Sequence, residues 1–291
     1  MRRRESIAGA VVGCILAGTL LAPARGDDPI GRLSLSLNFG ATTLAMNDVN
    51  REIARGNEYL SFEGLTTIDD LSYGFNFYGD FKTAIKDPFF ISLGGGSLSG
   101  TTEEKFNQII SITSESTFYY GRLFYALPWR PLEDSRLFVG AGPVFLRDVT
   151  LDVTHERDYI AKQPERTEQL SLTGSGSGFQ LDAVFEYLIS DHLTLNLTAG
   201  YRRATADWDD YEITVTNIDE EISTQDDWDD DEQIFWEVET YEAYLLNAFL
   251  KEVPFNEELQ GPPLQELEVV DNLDLDFSGA RLEVGLRLHF F

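Results

Sequence analysis

The run "SGARLEVGLRLHFF", residues 278–291, decides the fold. Leu282, Val284, Leu286, Leu288 and Phe290 alternate with Arg281, Glu283, Gly285, Arg287 and His289. A period of two is that of a β-strand, whose successive side chains point to opposite faces. One face suits hydrocarbon and the other suits charge. Soluble domains usually fray into solvated residues at a terminus, whereas this run carries its apolar face to a final Phe-Phe pair.

The same alternation recurs upstream. Leu33, Leu35, Leu37, Phe39 and Ala41 interleave with Ser34, Ser36, Asn38 and Gly40, and Leu71, Tyr73, Phe75, Phe77 and Phe81 with Ser72, Gly74, Asn76, Asp80 and Lys82. Phe179 to Ile189 and Leu193 to Tyr201 repeat the pattern, with Gln180, Asp182 and Glu186 on the polar side of the first and Arg202 extending that of the second. Less regular strands are expected near residues 89–97, 107–127 and 136–153, which makes eight. Their connectors alternate. Those at 86–88, 128–135 and 190–192 are short; those at 43–67, 98–106, 154–168 and 204–272 are longer. Eight antiparallel strands running up and down would gather all short turns at one end and all long loops at the other. That asymmetry predicts an all-β fold, an eight-stranded antiparallel up-and-down transmembrane β-barrel with short periplasmic turns and long external loops. A ten-stranded version stays open through "YEITVTN" (211–217), and a secreted β-sandwich would share the alternation but not the connector rhythm.

The 291 residues carry a net charge of −28, which argues against nucleic acid as a partner. Arg2, Arg3 and Arg4, an uncharged and largely apolar run over 7–21, and small residues at 22–26 read as a cleaved signal peptide, residues 1–26, ahead of a barrel over 27–291. A cut after Ala24 is the alternative. The leader holds four Arg and one Glu, so the exported remainder carries −31. It also holds the single cysteine, Cys14, so disulfides and thiol chemistry are not expected after cleavage.

On the polar faces, Lys82, Arg122, Asp182, Glu186, Arg202, Arg281, Glu283 and Arg287 are expected to point into the lumen, where opposite charges can pair. An eight-stranded barrel is just wide enough for side chains to fill. Tyr73, Tyr125, Trp129, Tyr187 and Tyr201 fall near strand ends, where an interfacial aromatic girdle belongs. With these features and its terminus, the chain resembles the small bacterial outer-membrane β-barrels: the OmpA transmembrane domain and the OmpX- and OmpW-like proteins. The resemblance covers roughly residues 29–205 and 273–291. It implies an outer-membrane location, contact with membrane lipid and lipopolysaccharide, and a C-terminal strand read by the barrel-assembly machinery, with Leu286, Leu288, Phe290 and Phe291 as that signal. The apolar phase places Phe290, not Phe291, in line with Leu286 and Leu288.

The loop at about 205–272 is acidic: residues 207–271 hold 22 Asp or Glu against one Lys. Asp226, Asp227, Asp229, Asp230, Asp231 and Glu232 are candidate ligands for Ca²⁺ or Mg²⁺, which prefer carboxylate oxygens, although no EF-hand spacing is present. The plainer reading is a solvated acidic loop. No other cofactor is indicated. Residues 237–253 show helical spacing ahead of Pro254, as do 45–55 through Met46, Val49 and Ile53. His155 lies among Asp152, Glu156 and Asp158 on the external side and is the one candidate general base, but no nucleophile motif accompanies it. A non-enzymatic surface protein is therefore expected. It would contact cations, lipopolysaccharide or a partner through its acidic loops; a narrow channel for small solutes is the alternative, and a rim hydrolase is third. The sequence sets neither a ligand nor an oligomeric state.

Overall fold

A computed structural model describes residues 33–62, 67–105, 108–157, 166–217, 220–223 and 273–290. Ten strands and one helix follow in order: β1 (Leu33–Thr43), α1 (Asn47–Phe62), β2 (Tyr73–Lys86), β3 (Phe89–Lys105), β4 (Gln108–Ala126), β5 (Ser135–Arg157), β6 (Arg166–Ser190), β7 (Leu193–Asn217), β8 (Glu220–Ser223), β9 (Leu275–Asp276) and β10 (Gly279–Phe290). Each of β1 to β7 pairs antiparallel with the next, and β10 pairs with both β7 and β1. The ring therefore closes on eight strands and leaves no edge within it. Leu33 faces Phe290 and Thr42 faces Arg281 across the seam. The ten-stranded alternative is not realised: 211–217 is the end of β7, and β8 and β9 are short additions outside the ring.

The wall shows why this closure belongs in a membrane. Leu35, Leu37, Phe39, Phe75, Phe77, Leu123, Phe145, Leu181, Leu197 and Leu286 all stand at the surface, and Leu282 is 69% exposed. Their strand neighbours Ser36, Asn38, Asn76, Arg122, Asp182, Asn196 and Arg287 are buried. The polar side faces in and the apolar side faces out, the reverse of a soluble barrel. The alternation thus builds a transmembrane barrel. Among the described residues no helix is long and apolar enough to cross a membrane.

The long connectors differ from expectation. Residues 98–105, 154–157, 166–168 and 205–217 are strand. β6 and β7 reach 25 residues each, more than twice the roughly 9–11 that span a bilayer. The reason is a polarity exchange along each strand. On β4, Tyr125, Leu123 and Tyr119 face out, but farther along the outward positions are Thr117, Glu115 and Thr113. On the inside, Arg122 gives way to Phe118, Ile112 and Ile110. The upper half is built like a soluble barrel, with an apolar core. On β5 the exchange coincides with a bulge between Leu146 and Val149, where Asp148 adopts φ 47°. The extra residue moves the inward set from Val144 and Leu146 to Val149, Leu151 and Val153.

Helix α1, longer than the 45–55 expected, closes the external end. Val49 and Ile53, with Met46 just ahead of the helix, are fully buried against Leu71, Ile110, Leu151 and Leu172. Two asparagines tie the helix to the returning chain. Asn50 Nδ2 donates to Leu71 O at 3.4 Å while its Oδ1 accepts from Leu71 N at 2.8 Å. Asn57 repeats the exchange with Ile68 at 2.8 and 2.9 Å. At the opposite end Phe90, Phe124, Ala126, Phe138 and Val184 form a second apolar cluster.

Candidate functional site

Between the two apolar clusters lies a layer of charge. β2 contributes Asp80 and Lys82, β4 Arg122, β6 Asp182 and Glu186, β7 Arg202, and β10 Arg281, Glu283 and Arg287; all are buried. The eight lumen residues expected from the sequence therefore lie together inside the barrel. The ninth, Asp80, shares their strand parity; parity alone could have found it, as it could Tyr78 and Tyr120.

Long side chains fit because the intervening strands present small ones. β1 offers Ser34 and Ser36, β3 offers Ser92 and Gly94, and β5 offers Gly140 and Gly142. A Cβ on Gly94 would run into the Tyr120 ring and the Gly79 carbonyl, and one on Gly140 into the Phe124 ring. Glycine at these two positions lets the rings lie flat against the wall.

The pairing is dense. Arg122 Nη2 donates to Asp80 Oδ2 at 2.7 Å and Nη1 to Asp182 Oδ2 at 3.0 Å. Arg287 bridges Asp80 Oδ1 at 2.9 Å and Glu186 Oε1 at 3.0 Å. Lys82 Nζ donates to Glu186 Oε1 at 2.5 Å and stands 3.8 Å from the centre of the Phe138 ring. Arg281 pairs with Asp182, and with Glu283 at 3.2 Å. Tyr78 OH donates to Glu283 Oε2 at 2.6 Å, and the Arg122 guanidinium lies 4.0 Å from the Tyr120 ring centre. Arg202 donates from Nε to Phe277 O at 3.1 Å and faces the Phe118 ring at 5.8 Å. Five cations thus meet four carboxylates in a region screened from water above and below. Such a layer holds together only because each carboxylate is multiply paired, since an isolated buried charge would cost several kcal/mol. The cavity at its centre, lined by Tyr78, Asp80, Lys82, Arg122, Glu186 and Arg287, measures about 10 Å³, room for roughly one water.

The other candidates are not gathered here. His155 is buried on the inner face of β5, whereas Glu156 is exposed on the outer face, and Asp152 accepts from Ser171 Oγ at 2.6 Å on that same outer side. Strand alternation parts the histidine from the acids beside it; Asp158 lies outside the described residues. Also outside them are the carboxylates at 226–232, the helix expected at 237–253, the leader and Phe291. Among the described residues no group of three or more His, Asp or Glu could hold a metal ion. Leu286, Leu288 and Phe290 share the outward face of β10.

No family model and no curated protein matches the chain. Among solved structures it is similar to CarO of Acinetobacter baumannii, at 12% identity over 91% of this chain and 100% of that one, with a TM-score of 0.38.

Proposed function

We propose that this protein is an outer-membrane barrel closed to solutes, whose work is done at its external face. The barrel is the anchor, and the acidic outer wall and loops are the contact surface for cations, lipopolysaccharide or a partner. One observation carries the reading: the paired charge layer is sealed between two apolar clusters, with about 10 Å³ left open at its centre. A hydrated solute needs a continuous polar path, and breaking this one would expose unpaired buried charge. The aromatic and aliphatic belt supports insertion, and the described external wall is acidic at Glu103, Glu115, Glu156, Asp207, Asp209 and Glu212.

The test is solute efflux from liposomes carrying refolded residues 27–291. Flux no greater than from protein-free liposomes is expected. Reproducible flux of small ions or sugars would overturn the closed barrel and favour a narrow channel, with the acidic loop as its lid.

A further inference from the structure

The outer wall is acidic, yet two exposed arginines stand on it at a particular height. On β5 the last outward apolar residue is Phe145, and the next outward position is Arg147. On β7 the last is Tyr201 and the next is Arg203; on β6 between them the last is Phe179 and the next is Ser177. Each of the three lies one outward step beyond the apolar belt on its own strand, so all three lie at the belt's external edge. The registers join them into a row. Ser177 faces Phe145 on one side and Thr205 on the other, which makes Arg147 and Arg203 diagonal neighbours of it, along with Pro143 and Asp207. Diagonal partners lie about 7–8 Å apart, within reach of two arginine side chains converging over a serine. On β6, Phe179 faces Arg203 directly, and the outward residues from there toward the bulge at Arg147 are Ser177 and Ser175. Neither arginine forms an ion pair among the described residues. The nearest acids are one outward step farther from the belt: Asp207 faces Ser175, Asp148 follows Arg147 at the bulge, and Glu115 follows Thr117, which faces Arg147.

We infer that Arg147, Ser177 and Arg203 form a cradle for the phosphate of an outer-leaflet lipid headgroup. Two guanidinium forks suit a phosphate, which accepts paired charge-assisted hydrogen bonds, and a serine hydroxyl adds a further donor. Position selects a lipid over free phosphate. An anion held at the belt's edge lays its acyl chains along Phe145, Phe179 and Tyr201. The inference rests on the outer-membrane reading and names one partner of that surface.

The test uses the chain expressed in a Gram-negative host, extracted from its outer-membrane fraction in mild detergent, and read by native mass spectrometry. The probes are bisphosphorylated lipid A, the same lipid stripped of phosphate, and inorganic phosphate. The wild type should retain the bisphosphorylated lipid at least tenfold better than the stripped one. Arg147→Gln with Arg203→Gln should abolish that preference, while Arg51→Gln, on the exposed side of α1, should keep it. Equal retention of both lipids, or a preference unchanged in the double variant, overturns the cradle alone. Displacement of the lipid by millimolar inorganic phosphate reassigns the site to a soluble anion and also overturns it. Absence of the chain from the outer-membrane fraction overturns the location together with the cradle.

Discussion

Replacing Arg122 by Met would test the charge layer at its most connected point. The guanidinium joins Asp80 at 2.7 Å to Asp182 at 3.0 Å, with all three side chains buried. Methionine fills similar length without charge. Two charge-assisted hydrogen bonds to carboxylates disappear, each worth about 1.5–3 kcal/mol, together with the bond to Tyr120 OH at 2.8 Å. Two circumstances reduce the loss. Asp80 keeps Arg287 and Asp182 keeps Arg281, and the layer falls from five cations to four, easing repulsion among the arginines that remain. The expected destabilisation is therefore about 3–4 kcal/mol, toward the lower end of the range for breaking a buried pair, or roughly a hundredfold to a thousandfold in the folded-to-unfolded ratio. The assay is urea unfolding in lipid vesicles, followed by tryptophan fluorescence, with unfolding and refolding curves required to coincide. Arg51→Met is the comparison, because Arg51, 58% exposed, pairs with Asp48 and with Glu52, and Glu52 keeps Arg55 at 3.7 Å; it should lose under about 1 kcal/mol. A cycle adding Asp182→Asn should show coupling of about 1 kcal/mol or more. If Arg122→Met behaves like Arg51→Met, the layer is not a stabilising network, and the argument that it bars the lumen loses its energetic footing.

Two further outcomes follow from other parts of the molecule. Asn50→Ala with Asn57→Ala removes four side-chain hydrogen bonds to residues 68 and 71; hydrogen exchange within α1 should accelerate by at least tenfold while the membrane strands stay protected, and unchanged exchange would mean the buried Val49 and Ile53 alone hold the helix. Phe290→Ala removes the last outward aromatic of β10, which pairs with Leu33 at the closing seam; the inserted fraction in outer-membrane preparations should fall severalfold, and insertion at the wild-type level would remove Phe290 from the assembly signal.

The alternating segments made the membrane half of this fold legible. In β1, β2, β6, β7 and β10 one parity is apolar throughout the belt, so both the outward face and the inward charges could be named from spacing. The external half was hidden because the same parity changes meaning. Thr113, Glu115 and Thr117 continue the face of Tyr119 and Leu123, but in water they must be polar, and a polar run reads as a loop. The bulge at Arg147 and Asp148 concealed β5 further by moving the inward apolar set from even to odd positions. Pairings were beyond reach for a different reason. Arg122 meets Asp80 across 42 residues of chain, and only the register of β2, β3 and β4 brings them together. His155 is the converse case: Asp152 and Glu156, close to it in sequence, lie across the wall of the strand.

The prolonged strands also set a distance. Beyond Phe179, β6 continues for thirteen residues to its start at Arg166. At about 3.3 Å per residue and a tilt near 40°, that amounts to roughly 30 Å of height. In the proposed orientation the described end of β6 stands that far above the acyl chains, on a hydrogen-bonded turret. A phage, an antibody or another cell would touch this protein before it reached the lipid.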